Sequence, residues 1–364
     1  MQNPVYVTRP YFPKIEKYFS YIQSSFDNQS LTNEGPLVKE LTEKLKNKLN
    51  VKYLLLVNNG TTALQIAYKV KNLAGKNVIT TPYTFAATST ALVWQGAKVI
   101  MADIDKKSWN LDPKSVESLI DNGLGEAIVA VNLFGQPCDL DQLELIAKKH
   151  NVPLIYDSAH SLLSKYKNKS IYDYGDIHCI SFHATKLFHC VEGGAMTFKD
   201  EADYLLAKKL INFGIEENGD IINPGINGKL SEVHAAMGLC VLDDLDGLVT
   251  ERQELIDLYK KTLGSIVTFQ QAKFECQVQP IYLPIQFSTE QILINVEKAL
   301  NEAGYFPRRY FMPQHYKFLP TNQLEAVDKC SKLANTILCL PLMNNIKKDV
   351  IRKICEIILK VITK

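Results

Sequence analysis

The chain has 364 residues, is 46% apolar, and carries 41 basic against 39 acidic side chains, a formal charge of +2. This is enough for a large core, split into two domains or one large domain with a smaller one attached. The charge balance excludes a general nucleic-acid-binding surface, and no apolar run nears the roughly 18 residues of a membrane span, so the expectation is a soluble, cytoplasmic protein.

The N-terminal stretch MQNPVYVTRPYFPKIEKYF lacks the apolar core of a secretion signal. Seven short apolar runs then predict strands: YLLLV (53–57), NVITT (77–81), KVIMADID (98–105), AIVAVNLFG (127–135), PLIYD (153–157), DIHCISF (176–182) and GAMTF (194–198). Most are apolar on both faces, as in a buried, mainly parallel sheet. Helical patterns alternate with them, such as 61–73, where Ala63, Ala67 and Val70 share one face, and 139–151. This is an α/β pattern with helices on both faces of the sheet. Beyond about residue 240 the pattern changes to one long helical region (238–265) and then a smaller α+β unit. The expected domains are therefore 1–240 and 241–364. The eight cysteines form no CxxC pair and read as reduced thiols.

Ligands of open α/β sheets bind beyond the C-terminal ends of the strands, so the polar residues there are the candidates. After the first strand, NNGTTAL combines a permissive Gly60 with a helix start. Its backbone N–H groups and the Thr61 hydroxyl suit a phosphate, although an ordinary helix cap has the same composition. No GxGxxG or GxxxxGK[ST] motif is present. After PLIYD, Asp157 is a buried carboxylate that needs a cationic or hydrogen-bonding partner, and His160 follows it. Either residue alone reads equally as a cap or a core side chain.

After DIHCISF comes SFHATKLFHCVEGGA. Lys186 in an apolar site would be a nucleophilic amine able to form a Schiff base. His183, His189 and Cys190 raise the alternative of a zinc site, but their spacing is not that of a zinc motif. Phosphate seat, Asp157 and Lys186 together form the set that pyridoxal phosphate requires: an anchor, an acid for the ring nitrogen and an amine for the aldehyde. Phe85, in PYTFAAT, is the candidate to stack on the ring, with core packing as its other reading.

The segments LTNEGPLVKEL, NNGTTAL, PYTFAAT, FGQPCDLDQL, IYDSAHS, SFHATK…EGGA, NGKLSEVHAAMGL, RRYFMP and LCLPL resemble the DegT/StrS family of pyridoxal-phosphate-dependent nucleotide-sugar aminotransferases. The resemblance implies fold type I. It implies that Lys186 holds the cofactor and moves protons, and that Asp157 pairs with the ring nitrogen. His160 would stand near the 3-hydroxyl, where most members have glutamine. Gly60, Thr61 and Ser181 would hold the phosphate and Phe85 would cover the ring. Asn227 matches a residue that reaches the neighbouring subunit's phosphate, which implies a homodimer with shared active sites.

Three further positions depart from the family pattern. Gly228 and Lys229 replace a tyrosine and an arginine, and Val191 replaces the glycine before EGG. Only five arginines are present, so His183, Lys229 and Arg309, with Arg308, are the expected contacts to substrate. The resemblance implies L-glutamate as donor and a dTDP-linked ketosugar as acceptor. The branch it most resembles makes dTDP-4-amino-4,6-dideoxyglucose for bacterial surface polysaccharide such as O-antigen of lipopolysaccharide. The galacto product and 3-ketosugar amination are the alternatives within the family. Sugar dehydratases of the family have histidine in place of Lys186, and a regulator would need a DNA-binding segment that this chain lacks. No metal is expected.

Overall fold

The computed structural model describes residues 4–312 and 328–363. The seven apolar runs form one seven-stranded sheet. Its strands are β1 (Tyr53–Val57), β2 (Asn77–Thr80), β3 (Lys98–Met101), β4 (Ala127–Val131), β5 (Leu154–Asp157), β6 (Ile177–Ser181) and β7 (Gly194–Phe198). Their spatial order is β1-β7-β6-β5-β4-β2-β3. Only β7 runs against its neighbours; every other pairing is parallel. This is the architecture the alternation of strands and helices predicts.

Alternation along the strands divides the core. Leu55, Val57, Val78, Val129 and Ile155 enter one hydrophobic cluster. Leu54, Leu56, Ile180 and Ala195 on the opposite face enter a second, and Ile79, Ile128 and Leu154 a third. Both faces are thus covered, which is why the runs show no polar face. The covering helices are α1 (Ile15–Asp27), α2 (Pro36–Leu49), α3 (Gly60–Val70), α4 (Ala86–Trp94), α5 (Pro113–Asp121), α6 (Leu140–His150), α7 (Glu201–Leu210) and α8 (Glu232–Leu263).

Helix α8 starts earlier than the apolar pattern suggests, because Ser231 caps it by accepting the His234 N–H. Its first half, with Ala235, Leu239 and Leu245, packs under the large sheet. Its second half, with Leu255, Tyr259 and Leu263, belongs to a separate cluster. That cluster also holds strands Leu283–Gln286 and Ile337–Leu340 and helices Glu290–Glu302 and Lys348–Ile362. Residue 240 lies inside this helix.

Candidate active site

The strand register assembles the site. Gly194 pairs with both Val57 and Ser181, so the turn after β1 lies against the end of β6. The approach is close enough to exclude side chains. A Cβ on Gly60 would come 2.9 Å from the Ser181 Cβ, and one on Gly194 2.8 Å from the Asn59 carbonyl oxygen. Asn59 caps α3 by accepting the Thr62 N–H at 2.8 Å. The first-turn backbone at Gly60 and Thr61, with the positive end of the α3 dipole, then borders a cleft of about 410 Å³, as does Ser181.

Asp157 ends β5, in register with Val131 and Cys179. Its Oδ2 accepts the Thr88 hydroxyl at 2.7 Å and its Oδ1 the Ala159 N–H at 3.1 Å. Burial raises its pKa, and the two hydrogen bonds and the Lys186 charge oppose that rise. Thr88 is itself joined to Thr84 at 2.8 Å.

Lys186 sits in the turn beyond β6, its N–H bonded to the His183 carbonyl at 2.8 Å. Burial brings the amine down to about 8, against the pull of Asp157 in the other direction. Such an amine is partly neutral near pH 7.5.

His160 lies beside a pair of aromatic rings, 6.2 Å from Phe134 and 6.5 Å from Phe311 between ring centres. Its plane is 8° from that of Phe134 and 12° from that of Phe311. Its Nδ1 receives the Phe134 N–H at 3.2 Å. A backbone N–H can only donate, so the ring proton is on Nε2. Burial and the nearby Lys186 hold the ring neutral, well below the usual histidine range. Phe85 is 60% exposed at the edge of the cleft, edge-on to Phe311. Core packing is therefore not its role.

His183 also borders the cleft. Its Nδ1 takes the Thr185 N–H at 3.3 Å and contacts the Thr185 hydroxyl at 2.9 Å, while Nε2 stands 3.6 Å from Glu192. Its sequence neighbours point elsewhere. His189 Nε2 bonds the Tyr11 carbonyl, and the Cys190 thiol is buried close to Gly238. Among the described residues no three His, Cys, Asp or Glu side chains are placed to hold a metal.

Three candidates stand outside their own cleft. Asn227 is exposed, bridges Asn212 through its backbone, and takes the Asn58 side-chain amide on its carbonyl. Lys229 bonds the Asn212 side chain at 2.8 Å and lies over Phe213. Arg309 turns away to Glu290 at 2.9 Å and the Asn335 carbonyl. Its neighbour Arg308 borders the cleft instead, stacked 4.9 Å from the centre of the Tyr310 ring. The motif RRYFMP ends in Pro313, outside the described residues.

The sequence reading missed Tyr282, Tyr310, Phe311, Asn132 and Thr88. The first three come from the smaller unit, on segments with no spacing signal to β5 or β6. Tyr282 places its ring 5.9 Å from the Lys186 ammonium and edge-on to His160.

A parallel sheet whose strand ends present a partly neutral amine, a buried carboxylate and a helix N-terminus defines an α/β enzyme of fold type I. The chain belongs to the DegT/DnrJ/EryC1/StrS aminotransferase family, whose model matches residues 14–359. It is 34% identical to the dTDP-4-amino-4,6-dideoxy-D-glucose transaminase of Shigella dysenteriae, over 98% of this chain and 99% of that one. The Escherichia coli enzyme of the same name is 30% identical over 97% of each chain. Among solved structures, DesI in the presence of its TDP-sugar product superimposes with a TM-score of 0.92 at 30% identity, covering 100% of this chain and 94% of that one.

Proposed function

We propose that this chain is a pyridoxal-phosphate-dependent aminotransferase that moves the amino group of L-glutamate to C-4 of dTDP-4-keto-6-deoxyglucose. The products are 2-oxoglutarate and dTDP-4-amino-4,6-dideoxyglucose. The observation that carries the chemistry is the convergence of Lys186, Asp157 and His160 on one cleft. The choice of sugar is supported by the 34% identity to the Shigella transaminase along nearly the whole chain.

The residues fit the cofactor. The Gly60 turn, packed too closely on Ser181 to admit a Cβ, presents the N-terminus of α3 to an anion, and Asp157 offers a buried carboxylate to a protonated ring. Bound pyridoxal phosphate supplies an aldehyde that accepts amino groups and a ring that draws electrons from the attached carbon. Asp157 would keep the ring nitrogen positive. His160, with its proton on Nε2, would offer that N–H to the ring's hydroxyl, as the side-chain amide of glutamine would. Gly60, Thr61 and Ser181 would hold the phosphate, and Phe85 would cover the ring. Lys186 would hold its Nζ beside the amino-bearing carbon, where a neutral amine can take up a proton and give it back in a 1,3-shift. Fixed placement of that amine can contribute on the order of 7–11 kcal/mol to lowering the barrier.

His183 and Arg308 stand at the mouth to meet the sugar and its anionic tail. Asn227 and Lys229 serve the cleft of a second copy in a homodimer, which accounts for their place outside their own. Residues 1–240 form the cofactor-binding domain, and 241–364 form a smaller domain that brings Tyr282, Arg308 and Tyr310 over it. The enzyme works in the cytoplasm, and its product feeds bacterial surface polysaccharide.

The test is incubation with L-glutamate and a panel of dTDP-, UDP- and GDP-linked ketosugars, followed by NMR of the product. The expected product carries an equatorial amine at C-4 of a dTDP-sugar. Amination at C-3, or turnover only with another nucleotide, would overturn the substrate assignment. Lys186→Ala is expected to abolish turnover.

A further inference from the structure

Asp157 presents a problem that the cleft alone does not solve. A buried carboxylate drifts toward protonation, and a protonated Asp157 could not hold a positive charge on a ring nitrogen. Its partner at Oδ2 is Thr88, which is fully buried and sits in the first turn of α4. The Thr88 backbone is held independently, its carbonyl taking the Tyr68 hydroxyl at 3.1 Å and its N–H bonding the Phe85 carbonyl at 3.2 Å. The Thr88 side chain is thus free to serve the carboxylate without a part in fixing the helix.

Counting hydrogens gives the contact a direction. An ionised carboxylate only accepts, and a hydroxyl has one hydrogen, so the Thr88 hydrogen lies on the Asp157 side. The hydrogen between the two threonines must then belong to Thr84, which is also buried and borders the cleft. The chain Thr84→Thr88→Asp157 therefore delivers donors toward the carboxylate. Each bond polarises the next, which strengthens the last one. Oδ1 is fixed separately by the Ala159 N–H.

We propose that Thr88, oriented by Thr84, is a positioning residue that keeps Asp157 ionised and aimed at the cofactor ring. This rests on the reading of Asp157 as the partner of the ring nitrogen. It does not depend on which sugar is aminated, because its signature belongs to the cofactor and to the glutamate half of the reaction.

The test uses the holoenzyme with Thr88→Val, which keeps the shape and removes the hydroxyl, and Thr88→Ser, which keeps the hydroxyl. Two quantities are read besides turnover: the rate of cofactor release and the pH dependence of its visible absorption. Loss of a hydrogen bond to a buried charge predicts that Thr88→Val releases cofactor about tenfold faster or more, slows the glutamate half-reaction by a similar factor, and shifts the absorption titration. Thr88→Ser should return all three to within about threefold of the parent, since it restores the same bond. Thr84→Val should move the same quantities in the same direction, by less.

Asp157→Asn is the control. If it alters release and spectrum while folded Thr88→Val does not, the relay is wrong and the Asp157 assignment stands. If Asp157→Asn leaves both unchanged, the Asp157 assignment itself is wrong. A Thr88→Ser variant as impaired as Thr88→Val would also overturn the proposal, because the methyl group and not the hydroxyl would then matter. Should Thr88→Val fail to fold, the comparison of Thr84→Val with the parent decides. Unchanged release and spectrum there count against the chain.

Discussion

The Tyr282 ring lies over the Lys186 ammonium, 5.9 Å from Nζ to the ring centre, and closes the amine off from the small-domain side. Two effects of that ring oppose each other. Attraction between cation and ring favours the charged amine by about 0.5–1 kcal/mol. Exclusion of water disfavours it. Exclusion wins, in keeping with an amine brought down to about 8 chiefly by burial. Tyr282→Leu should admit water and move the amine upward, toward the ordinary lysine value. Below its pKa the amine is protonated and cannot accept a proton, so the rising limb of the rate–pH profile should move to higher pH. A limb that stays in place or moves to lower pH would count against this account.

His160 can be exchanged for the residue whose chemistry it copies. Glutamine can accept the Phe134 N–H on its oxygen and still donate from its nitrogen, so His160→Gln should keep turnover within about tenfold of the parent. His160→Leu removes both functions and leaves the Phe134 N–H, now bonded at 3.2 Å, without a partner, at a cost of about 1–3 kcal/mol. Thermal melting and cofactor binding should both fall for the leucine variant. Equal behaviour of the two variants would mean that the hydrogen bonds are unimportant.

Val191 occupies the left-handed region at φ +67°, a conformation in which a β-branched residue is strained. Its side chain is 45% exposed, so little packing within the chain offsets the strain. Val191→Gly should raise the melting temperature, with a stability gain of about 1 kcal/mol. A lower melting temperature would mean that the side chain makes a stabilising contact outside its own chain.

The placement of Asn227 outside its own cleft leads to a mixing experiment. Asn227→Ala and Lys186→Ala are each expected to be impaired as homodimers. In a mixed dimer one of the two sites would combine native Lys186 with native Asn227, so part of the activity should return. Verified heterodimers with no recovered activity would argue against shared sites.

The strands were legible in the sequence because both sheet faces are buried, which leaves continuous apolar runs; Ala127–Val131 is buried at every position. Lys186, Asp157, His160, Ser181 and the Gly60 turn were legible because each lies at the end of such a run or within a few residues after it. The far wall of the cleft was not. Arg308 and Arg309 are adjacent in an extended segment, where successive side chains point in opposite directions. Which of the two meets the cleft depends on the bridge between Arg308 and Cys339, a pairing that no local pattern encodes. Thr88 was missed for a related reason. A threonine in the first turn of a helix looks like any other until β5 brings Asp157 against it.

Helix α8 is continuous for 32 residues, about 48 Å, and its two halves lie in different hydrophobic cores. It is pinned to the lysine loop at Gly238, where a Cβ would come 2.7 Å from the Cys190 sulfur. A sharp kink in it would interrupt the backbone hydrogen-bond ladder. It therefore acts as a beam that sets the distance between the lysine floor and the aromatic roof when the chain folds. On the function proposed above, a cleft of fixed width leaves discrimination between sugars to the few side chains at its rim.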